Sequence, residues 1–438
     1  MRKKLANFFC GLLPSRLALS TENFLTWADA CFVLFLATFT LPIRKILFDQ
    51  NSFATVVFSE SLTVFLEISE IFLALALLLF GVFTFLKNKK IPPSSARPIF
   101  LFAIFSLASA QIALIFAQDF RLGVFGIFKL VEIFAVAFFI FARKFPLQKV
   151  AKILLAVALF QGALGLIQFS TGHSVGLEFL GEQSFCADCV GSPKVTLGEQ
   201  SFLRATGTFL HPNVFACFLL FTFFTVQATL CTRWQKILVH ILLVPVLLSF
   251  SRAGILGIFL GFFFLPGATG RLNFSDNLKR VFVPILIFII LLWAMPLWRE
   301  VLFSRLAVSD SILHRLKLLQ VSQQFAVQFP FGFGAKNFVL QLLQTDLNFA
   351  PWAAQPVHNI FFLLANENGI LFGIALATVF FLACKHPRTS AIFAALLPFA
   401  FFDHFLVTLH AGQVVLALGL GFFLLWRESA GRRIEVTA

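Results

Sequence analysis

The chain has 438 residues, of which 59% are hydrophobic and only 12% are charged. This composition excludes an ordinary soluble domain, in which charged residues make up about a quarter of the chain. The net charge of +14 does not indicate nucleic-acid binding, because the lysines and arginines lie in small clusters between apolar runs. Such clusters are typical of the loop charges that set the topology of a membrane protein.

The N-terminal segment, residues 1–26, combines a basic start with a short apolar run. Three basic residues follow Met1 and lead into apolar residues, which resembles the first two regions of a signal peptide. Arg16 and Glu22 follow quickly, however, and no Ala-x-Ala cleavage site accompanies them. We therefore predict a cytoplasmic amphipathic lead-in rather than a cleaved signal.

Apolar runs long enough to cross a bilayer, roughly 17–25 residues each, recur along the rest of the chain. They predict an all-α, polytopic integral membrane protein with about twelve transmembrane helices. The predicted spans are residues 27–47, 61–86, 98–118, 122–142, 149–169, 208–230, 235–250, 253–268, 281–298, 357–384, 389–407 and 410–426. The seventh and eighth runs are short and are separated only by Ser251-Arg252, so one long helix is the alternative there.

The distribution of charge places both termini in the cytoplasm, because most lysines and arginines then lie in inward-facing loops. This topology requires two separate helices around Ser251-Arg252, with Arg252 in an outward turn. The predicted divisions are a lead-in (1–26), helices 1–5 (27–169), an external loop with helices 6–9 (170–298), a large external loop between helices 9 and 10 (299–356), helices 10–12 (357–426) and a cytoplasmic tail (427–438).

Two outward segments are long enough to carry function, residues 170–208 and 299–356. The first contains Cys186-Ala187-Asp188-Cys189, which can be a redox pair, half of a metal site or a local disulfide. An oxidising exterior favours the disulfide. The second is predicted to hold an amphipathic helix (312–329), a Pro/Gly turn (330–334) and a short helix (337–343), and to lie on the membrane as a lid.

Three outward-facing elements are predicted to meet at one leaflet of the bilayer. They are His358-Asn359 at the start of the tenth span, Ser251-Arg252-Ala253-Gly254 in the turn before the eighth, and His314-Arg315 with Lys317 in the large loop. A guanidinium group is a planar fork that suits phosphate oxygens, and a histidine transfers protons near neutral pH. The alternatives are structural: Arg252 as an anchor to lipid headgroups, Arg315 on a solvated helix face, and His358 as a helix cap.

Four motifs occur in this part of the chain in a fixed order. They are Arg204-Ala205-Thr206-Gly207-Thr208-Phe209-Leu210-His211-Pro212-Asn213, then Ser251-Arg252-Ala253-Gly254, then Arg315 followed by Pro330-x-Gly332-x-Gly334-x-x-Asn337-Phe338, and finally His358-Asn359 with Gly369. Together they resemble the O-antigen ligase and O-antigen polymerase family of polytopic bacterial membrane glycosyltransferases. The chain departs from the family pattern after Gly369, where one extra residue precedes the second glycine, and it lacks the tyrosine common after the His-Asn pair.

The resemblance implies transfer of a glycan from a polyprenyl diphosphate donor to an acceptor hydroxyl, on the outer face of the bacterial plasma membrane. His358 would be the catalytic base, and the reaction would invert the anomeric carbon. Arg252 and Arg315 would stabilise the diphosphate leaving group without a metal or another cofactor. Arg204 and Asn359 are the remaining candidate substrate-binding residues, and a loop salt bridge is the alternative for Arg204. The expected partners are the lipid-linked glycan donor, a lipid or glycan acceptor and the bilayer, with no nucleic acid.

Two other sets of polar residues receive structural interpretations. Glu367 lies half a turn round the helix from His358 and roughly 13 Å deeper, so we predict a bond to a neighbouring helix rather than to His358. Asp403, His404 and His410 lie near the last outward turn, but their spacing matches no compact metal motif. The sequence therefore predicts no metal site.

The sequence leaves several functions open. A ligase that moves glycan onto a lipid, a polymerase that extends glycan on its carrier, and an enzyme that glycosylates protein share the family motifs. A transporter or flippase for lipid-linked sugars is the main alternative of another class, and interrupted helices in two related halves would indicate it. A membrane scaffold is the third alternative, but it would leave the outward arginines and histidine unexplained.

Overall fold

The computed structural model describes residues 21–49, 51–55, 58–87, 93–197, 199–229, 232–266, 274–294, 299–300, 310–345 and 353–437. The protein is mostly helical, with 72% helix and few strands. Five described helices are long and apolar enough to cross a membrane. The prediction of a mostly helical membrane protein is confirmed at this level, while the complete set of about twelve spans stays a prediction. Parts of the predicted lead-in (1–20), ninth span (295–298) and large loop (301–309 and 346–352) lie outside the described residues.

The described helices follow the predicted spans with shifted ends, and the two predicted helices of the large loop are present. They are α1 (Thr21–Thr38), α2 (Ile68–Leu86), α3 (Pro93–Leu114), α4 (Phe120–Arg143), α5 (Leu147–Thr171), α6 (Pro212–Thr229), α7 (Arg233–Leu238), α8 (Leu243–Leu248), α9 (Arg252–Phe263), α10 (Phe274–Ala294), α11 (Asp310–Gln328), α12 (Phe338–Leu343), α13 (Ile360–Asn368), α14 (Ile370–Lys385), α15 (Ser390–Phe402), α16 (Phe405–Thr408) and α17 (His410–Thr437).

A short antiparallel pair of strands lies between α1 and α2, where the sequence predicted the end of the first span and the start of the second. Strand β1 (Arg44–Phe48) pairs with β2 (Val64–Glu67). The predicted first span, 27–47, is therefore wrong at its end, since α1 stops at Thr38. Pro42 follows soon after, and proline cannot supply the N–H group that a helix interior requires. A second hairpin pairs β3 (Lys194–Leu197) with β4 (Gln200–Leu203) in the other predicted external loop.

A tight turn separates the predicted seventh and eighth spans. The seventh consists of α7, a 3-10 turn at Val239–Leu242 and α8, and α9 then starts at Arg252. Ser251 is the N-cap of α9, because its hydroxyl oxygen accepts a hydrogen bond from the backbone N–H of Gly254 at 3.1 Å. The prediction of two elements rather than one long helix is confirmed.

The tenth predicted span, 357–384, is not one helix. It is broken at Gly369, whose φ of +100° lies in a region that favours glycine, so α13 ends and α14 begins there. Backbone N–H groups of Phe333 and Gly334 donate to the carbonyl oxygens of Asn366 (3.0 Å) and Glu367 (2.9 Å). Both acceptors lie in the last turn of α13. The Pro/Gly turn of the external loop is therefore bonded directly to the break.

Gly332 makes this close approach possible. Its φ is +83°, and a Cβ atom at this position would lie 2.7 Å from the backbone nitrogen of Gly369. Any side chain would push the 330–334 turn away from the break, because real Cβ atoms do not approach backbone this closely. The external loop is thus fixed to the tenth span at its glycines.

The external loop also has a small hydrophobic core of its own. Buried residues of α11, the 330–334 turn and α12 pack together with β2 and with the chain just before α13; they include Leu318, Phe325, Phe333, Phe338, Val64, Ala354 and Val357. The larger core lies between the membrane helices, where α1 packs against α2, α9 against α15, and α4 against α17. The loop core is what holds α11 and residues 354–357 over one end of the helical bundle.

The Cys186-x-x-Cys189 pair forms a disulfide. Of the three interpretations that the sequence allowed, the local disulfide is the one in the structure. A bond between these cysteines suits the predicted external position of residues 170–208, since structural disulfides persist in oxidising compartments.

Candidate active site

His358 and Asn359 lie directly before α13, where the tenth predicted span begins. Asn359 is the N-cap of this helix: its side-chain oxygen accepts hydrogen bonds from the backbone N–H groups of Phe361 (3.0 Å) and Phe362 (3.1 Å). The cap fixes the direction in which the chain enters the helix, and so fixes the position of His358. In this structure the side-chain oxygen of Asn359 is used to cap the helix. The predicted contact of Asn359 with substrate stays a prediction.

Asp403 is the carboxylate that faces His358, a role for which the sequence did not single it out. Its Oδ1 lies 3.7 Å from Nδ1 of His358, and the two side chains are only 8% and 12% exposed. This separation is longer than a hydrogen bond, but bonds of this kind are often long until a substrate is bound. On the other side of the ring, Nε2 lies 3.3 Å from the side-chain oxygen of Gln355.

Two hydrogen bonds hold the Asp403 carboxylate in place. Oδ1 accepts from the backbone N–H of His404 and Oδ2 from the side-chain amide of Asn213, both at 2.8 Å. Burial favours the neutral acid, but the interactions with His358, His404 and His211 outweigh burial and hold the pKa of Asp403 below its ordinary range. Asp403 is therefore ionised at neutral pH and stabilises positive charge on His358.

The other two imidazoles beside Asp403 are neutral. Burial, together with the charge of His358, lowers the pKa of His404 to about 3. Burial also lowers the pKa of His211 to about 4, although the Asp403 carboxylate opposes it. The ring of His404 lies 5.0 Å from that of His358, between centroids. Because His404 and His211 resist protonation, neither suits the role of the base at this site.

Arg204 is linked to the same carboxylate through Asn213. Its Nε donates to the carbonyl oxygen of Ser249 at 2.7 Å, and its Nη2 donates to the side-chain oxygen of Asn213 at 3.4 Å. The amide nitrogen of Asn213 in turn donates to Asp403. Arg204 is thus buried and held in a fixed orientation, which suits a binding group and also suits a purely structural one.

Arg315 and Arg252 bring further positive charge to this region. Arg315 donates from Nη1 to the carbonyl oxygen of Phe402, the residue before Asp403, at 3.1 Å. Arg252 is the first residue of α9 and lies close enough to Arg315 for the two charges to repel each other. The structure therefore brings together all three predicted arginines, one from α11, one directly after β4 and one from the start of α9.

Helix ends form the base of the site. Helices α6, α9 and α13 begin here, at Pro212, Arg252 and Ile360, and α15 ends here at Phe402. A helix N-terminus carries positive partial charge and unsatisfied N–H groups. Among the described residues, three helix N-termini and three guanidinium groups lie around one carboxylate, Asp403, so the site has an excess of positive charge and suits an anion such as a diphosphate.

His358, Asp403 and His404 also form a possible set of metal ligands. One ligand atom of each lies within 4.8 Å of the others, which their positions in the sequence did not indicate. Two imidazoles and a carboxylate are ligands that zinc accepts at about 2.0–2.2 Å. Asp403 Oδ1 already accepts from the His404 backbone, and His404 Nδ1 lies 2.8 Å from the hydroxyl of Thr408. The predicted metal-free site stays a prediction and is tested below.

Glu367 lies away from His358, as the helix geometry predicted. Its side-chain oxygen accepts a hydrogen bond from the backbone N–H of Phe338, the first residue of α12, at 3.4 Å. The neighbouring Asn366 donates to the hydroxyl of Ser322 in α11. Both side chains therefore tie α13 to the external loop, and the predicted bond from Glu367 to a neighbouring helix is confirmed.

The sequence carried a weak signal for the residues that were missed. Asp403 is the sole acidic residue between positions 389 and 426, and an isolated carboxylate between apolar runs is a candidate functional group. Asn213 is the last residue of the first of the four motifs, but the sequence assigned it no role. Nothing in the sequence indicated that Gln355 would contact His358.

In comparisons with known proteins, no protein-family model and no curated protein matches this chain. The family resemblance of the motifs therefore has no independent support. What can be said of function rests on the residues described above and on their geometry.

Proposed function

We propose that the protein is an inverting, metal-independent glycosyltransferase that transfers a glycan from a polyprenyl diphosphate to an acceptor hydroxyl. We favour an O-antigen ligase-like reaction at the outer face of a bacterial plasma membrane, in the synthesis of surface polysaccharide. One observation carries the proposal. A histidine with a buried carboxylate beside one ring nitrogen lies among three arginines from separate elements.

His358 is the base in this proposal. The Asp403 carboxylate beside Nδ1 favours the tautomer that carries its proton on Nδ1. The Gln355 oxygen beside Nε2 can only accept a hydrogen bond, so in this proposal it leaves Nε2 when the acceptor hydroxyl binds, and the lone pair of Nε2 is then free for that hydroxyl. Nε2 takes the proton of the acceptor hydroxyl as its oxygen attacks the anomeric carbon. The imidazolium formed in this step is stabilised by Asp403, which acts as a positioning residue because it acts on the substrate only through His358.

The arginines stabilise the leaving group. As the bond between the anomeric carbon and the diphosphate oxygen breaks, its electron pair stays on the diphosphate, and negative charge builds up there. Arg252 and Arg315 supply guanidinium groups already in position for this charge. A single displacement by the acceptor inverts the anomeric carbon, and no covalent glycosyl-enzyme forms.

The membrane placement is part of the proposal. About twelve spans with both termini in the cytoplasm put the ends of α6, α9, α13 and α15 at the outer face. The external loop then lies over the site and carries Arg315 into it. Support for this placement comes from the shared location of these four helix ends and from the disulfide in residues 170–208.

A transporter of lipid-linked sugars is the second candidate, and the broken helix at Gly369 is the observation that favours it. Interrupted helices in transporters line a substrate cavity. Here the N–H group of Ile370, just after the break, donates to the carbonyl oxygen of Pro330 at 3.0 Å. The break is thus used to fix the external loop, which favours the enzyme. Polymerase and protein-glycosylating activities share the proposed chemistry and differ only in acceptor.

An assay of the purified protein tests the proposal. We expect wild-type protein in lipid nanodiscs to move label from a polyprenyl-diphosphate oligosaccharide to a lipid or glycan acceptor, with inverted configuration at the new bond. Addition of a strong chelator should leave the rate unchanged. Loss of the rate with chelator, and its recovery with zinc, would replace the base by a metal site at His358, Asp403 and His404. Donor movement between leaflets without transfer would establish the transporter.

A further inference from the structure

A cavity lies beside two of the residues that contact His358. Three segments line it: residues 55 and 58–61 between β1 and β2, residues 354–356 before α13, and His404, Thr408 and Leu409 after α15. Its volume is about 230 Å³, enough for one sugar ring, since a water molecule takes up about 30 Å³. We call this cavity the hairpin cleft.

The hairpin cleft shares a wall with the candidate base. Gln355 and His404 both line the cleft, and both contact His358. The side-chain oxygen of Gln355 lies 3.3 Å from Nε2 of His358, and the His404 ring lies 5.0 Å from the His358 ring. The nitrogen that would accept a proton is therefore in contact with Gln355, a residue that lines the cleft.

The polar groups of the cleft suit neutral hydroxyls. The Glu60 carboxylate accepts two hydrogen bonds from Arg44, at 3.2 and 2.5 Å. A carboxylate has about four acceptor positions, so two remain for hydroxyl donors. The Arg44 guanidinium carbon lies 3.9 Å from the centre of the Phe65 ring, which fixes the ion pair on the hairpin. Glu60 is thus held in place while one face of its carboxylate stays available.

Aromatic and electrostatic features of the cleft also favour a neutral sugar as its ligand. Phe58 lines the cleft and is 38% exposed, and its ring is held edge to face by Phe53 at 5.6 Å between centroids. A flat exposed ring suits the apolar face of a sugar. The arginines of the candidate active site do not line the cleft among the described residues, and Glu60 would repel phosphate. The cleft therefore suits a neutral sugar rather than the diphosphate donor.

We propose that the hairpin cleft binds a sugar residue of the acceptor and presents its hydroxyl to Nε2 of His358. This inference rests on the proposed function and adds that the acceptor is carbohydrate at the point of attachment. On binding, the hydroxyl displaces the Gln355 side chain from Nε2. The donor diphosphate lies with the arginines, so donor and acceptor approach His358 from opposite sides of its ring.

Kinetics with two single variants test the inference. We expect Glu60→Gln and Phe58→Ala each to raise the KM for the acceptor about three- to tenfold, as loss of one hydrogen bond or one ring contact does. The KM for the donor should stay unchanged. Glu199→Gln is the matched control, because Glu199 is an exposed carboxylate at the turn of the other external hairpin. It should leave both constants unchanged.

The outcomes separate this inference from the function on which it rests. If the wild-type protein transfers no glycan, the proposed function is wrong. If wild type transfers glycan but both variants keep the acceptor KM of wild type, the cleft does not bind the acceptor. An equal rise of both KM values in Glu60→Gln, with a lowered melting temperature, would identify a folding defect in that variant. The acceptor KM of Phe58→Ala then decides whether the cleft binds the acceptor. Efficient transfer to a sugar-free serine peptide would also overturn the inference.

Discussion

Among the described residues, two groups of charged side chains each contain a histidine, and they differ in charge balance. The outer group consists of His358, Asp403, Arg204, Arg252 and Arg315. The inner group consists of Glu70, Lys129, Glu132 and His410. The outer group has three guanidinium groups and one carboxylate, whereas the inner group has two carboxylates, one ammonium and an imidazole.

In the inner group, charges of opposite sign are in direct contact. Lys129 forms ion pairs with Glu70 and with Glu132, the latter at 3.0 Å. Nδ1 of His410 lies 3.3 Å from Glu132, and its Nε2 lies 2.7 Å from the hydroxyl of Ser69. The group connects α2, α4 and α17, and its four charged side chains are at most 10% exposed. Such a balanced group fixes the packing of helices, and breaking it is strongly destabilising.

The comparison shows what separates a binding site from a structural ion-pair group in this fold. In both, the histidine lies near a buried carboxylate. Only the outer group has an excess of positive charge, which an anion from outside the protein can neutralise. Gln355, which contacts His358, also lines a cleft of about 230 Å³, whereas His410 lines a smaller cavity of about 40 Å³. Charge excess and access, rather than burial or histidine content, mark the functional site.

The largest expected effect comes from the two histidines. His358→Ala should lower the transfer rate at saturating donor about 10²–10⁴-fold, because a positioned base is lost, while the protein keeps its melting temperature and donor binding. His410→Ala should do the opposite: it should lower the melting temperature and leave the rate of the folded fraction nearly unchanged. Rates and melting curves of both variants in the same nanodiscs check this.

The reverse pattern would remove the distinction between the two groups. A His358→Ala protein with a normal rate and a lowered melting temperature would make His358 a structural residue. A His410→Ala protein that folds normally and fails to transfer would place the inner group in the reaction.

A smaller effect is expected from exchanging the type of cation. Arg252→Lys and Arg315→Lys keep the charge but replace the planar fork by a point charge, so each should lower transfer about tenfold. Lys129→Arg is the matched exchange in the inner group, where no diphosphate is bound, and it should leave the rate of the folded protein unchanged. Full transfer by both arginine variants would exclude a bidentate contact with the diphosphate.

Local patterns in the sequence predicted much of this architecture. Long apolar runs predicted the helices, and Ser251-Arg252 predicted the turn at which α9 starts, because the serine caps it. The His358-Asn359 pair was predicted to start a helix, and Asn359 is its N-cap. These features depend on residues close together in the chain, which is why single-sequence periodicity and capping rules predict them.

The features that the sequence did not predict depend on contacts between distant segments. Asp403 faces His358 because α15 ends where α13 begins, and apolar periodicity does not specify which helix ends meet. The break at Gly369 depends on backbone bonds to the 330–334 turn. The strand at Arg44–Phe48 was predicted as helix because a short apolar run fits both types of element. Tertiary contacts decide all three.

The smallest expected effect is an acid sensitivity that originates in the outer group. The pKa of His211 is about 4 and that of His404 about 3 in the folded protein, against about 6.5 in an unfolded chain. Below pH 6.5 the unfolded chain therefore binds protons that the folded protein excludes, so stability rises with pH in this window. The melting temperature should fall as pH is lowered from about 6.5 to about 4 and should be nearly flat from pH 7 to 8.

His404→Asn should reduce this dependence of the melting temperature on pH, while His173→Asn, which removes an exposed histidine of another loop, should preserve it. Equal slopes in His404→Asn and wild type would mean that the folded protein accommodates a charged imidazole beside Asp403, and His404 would then not be held neutral by burial.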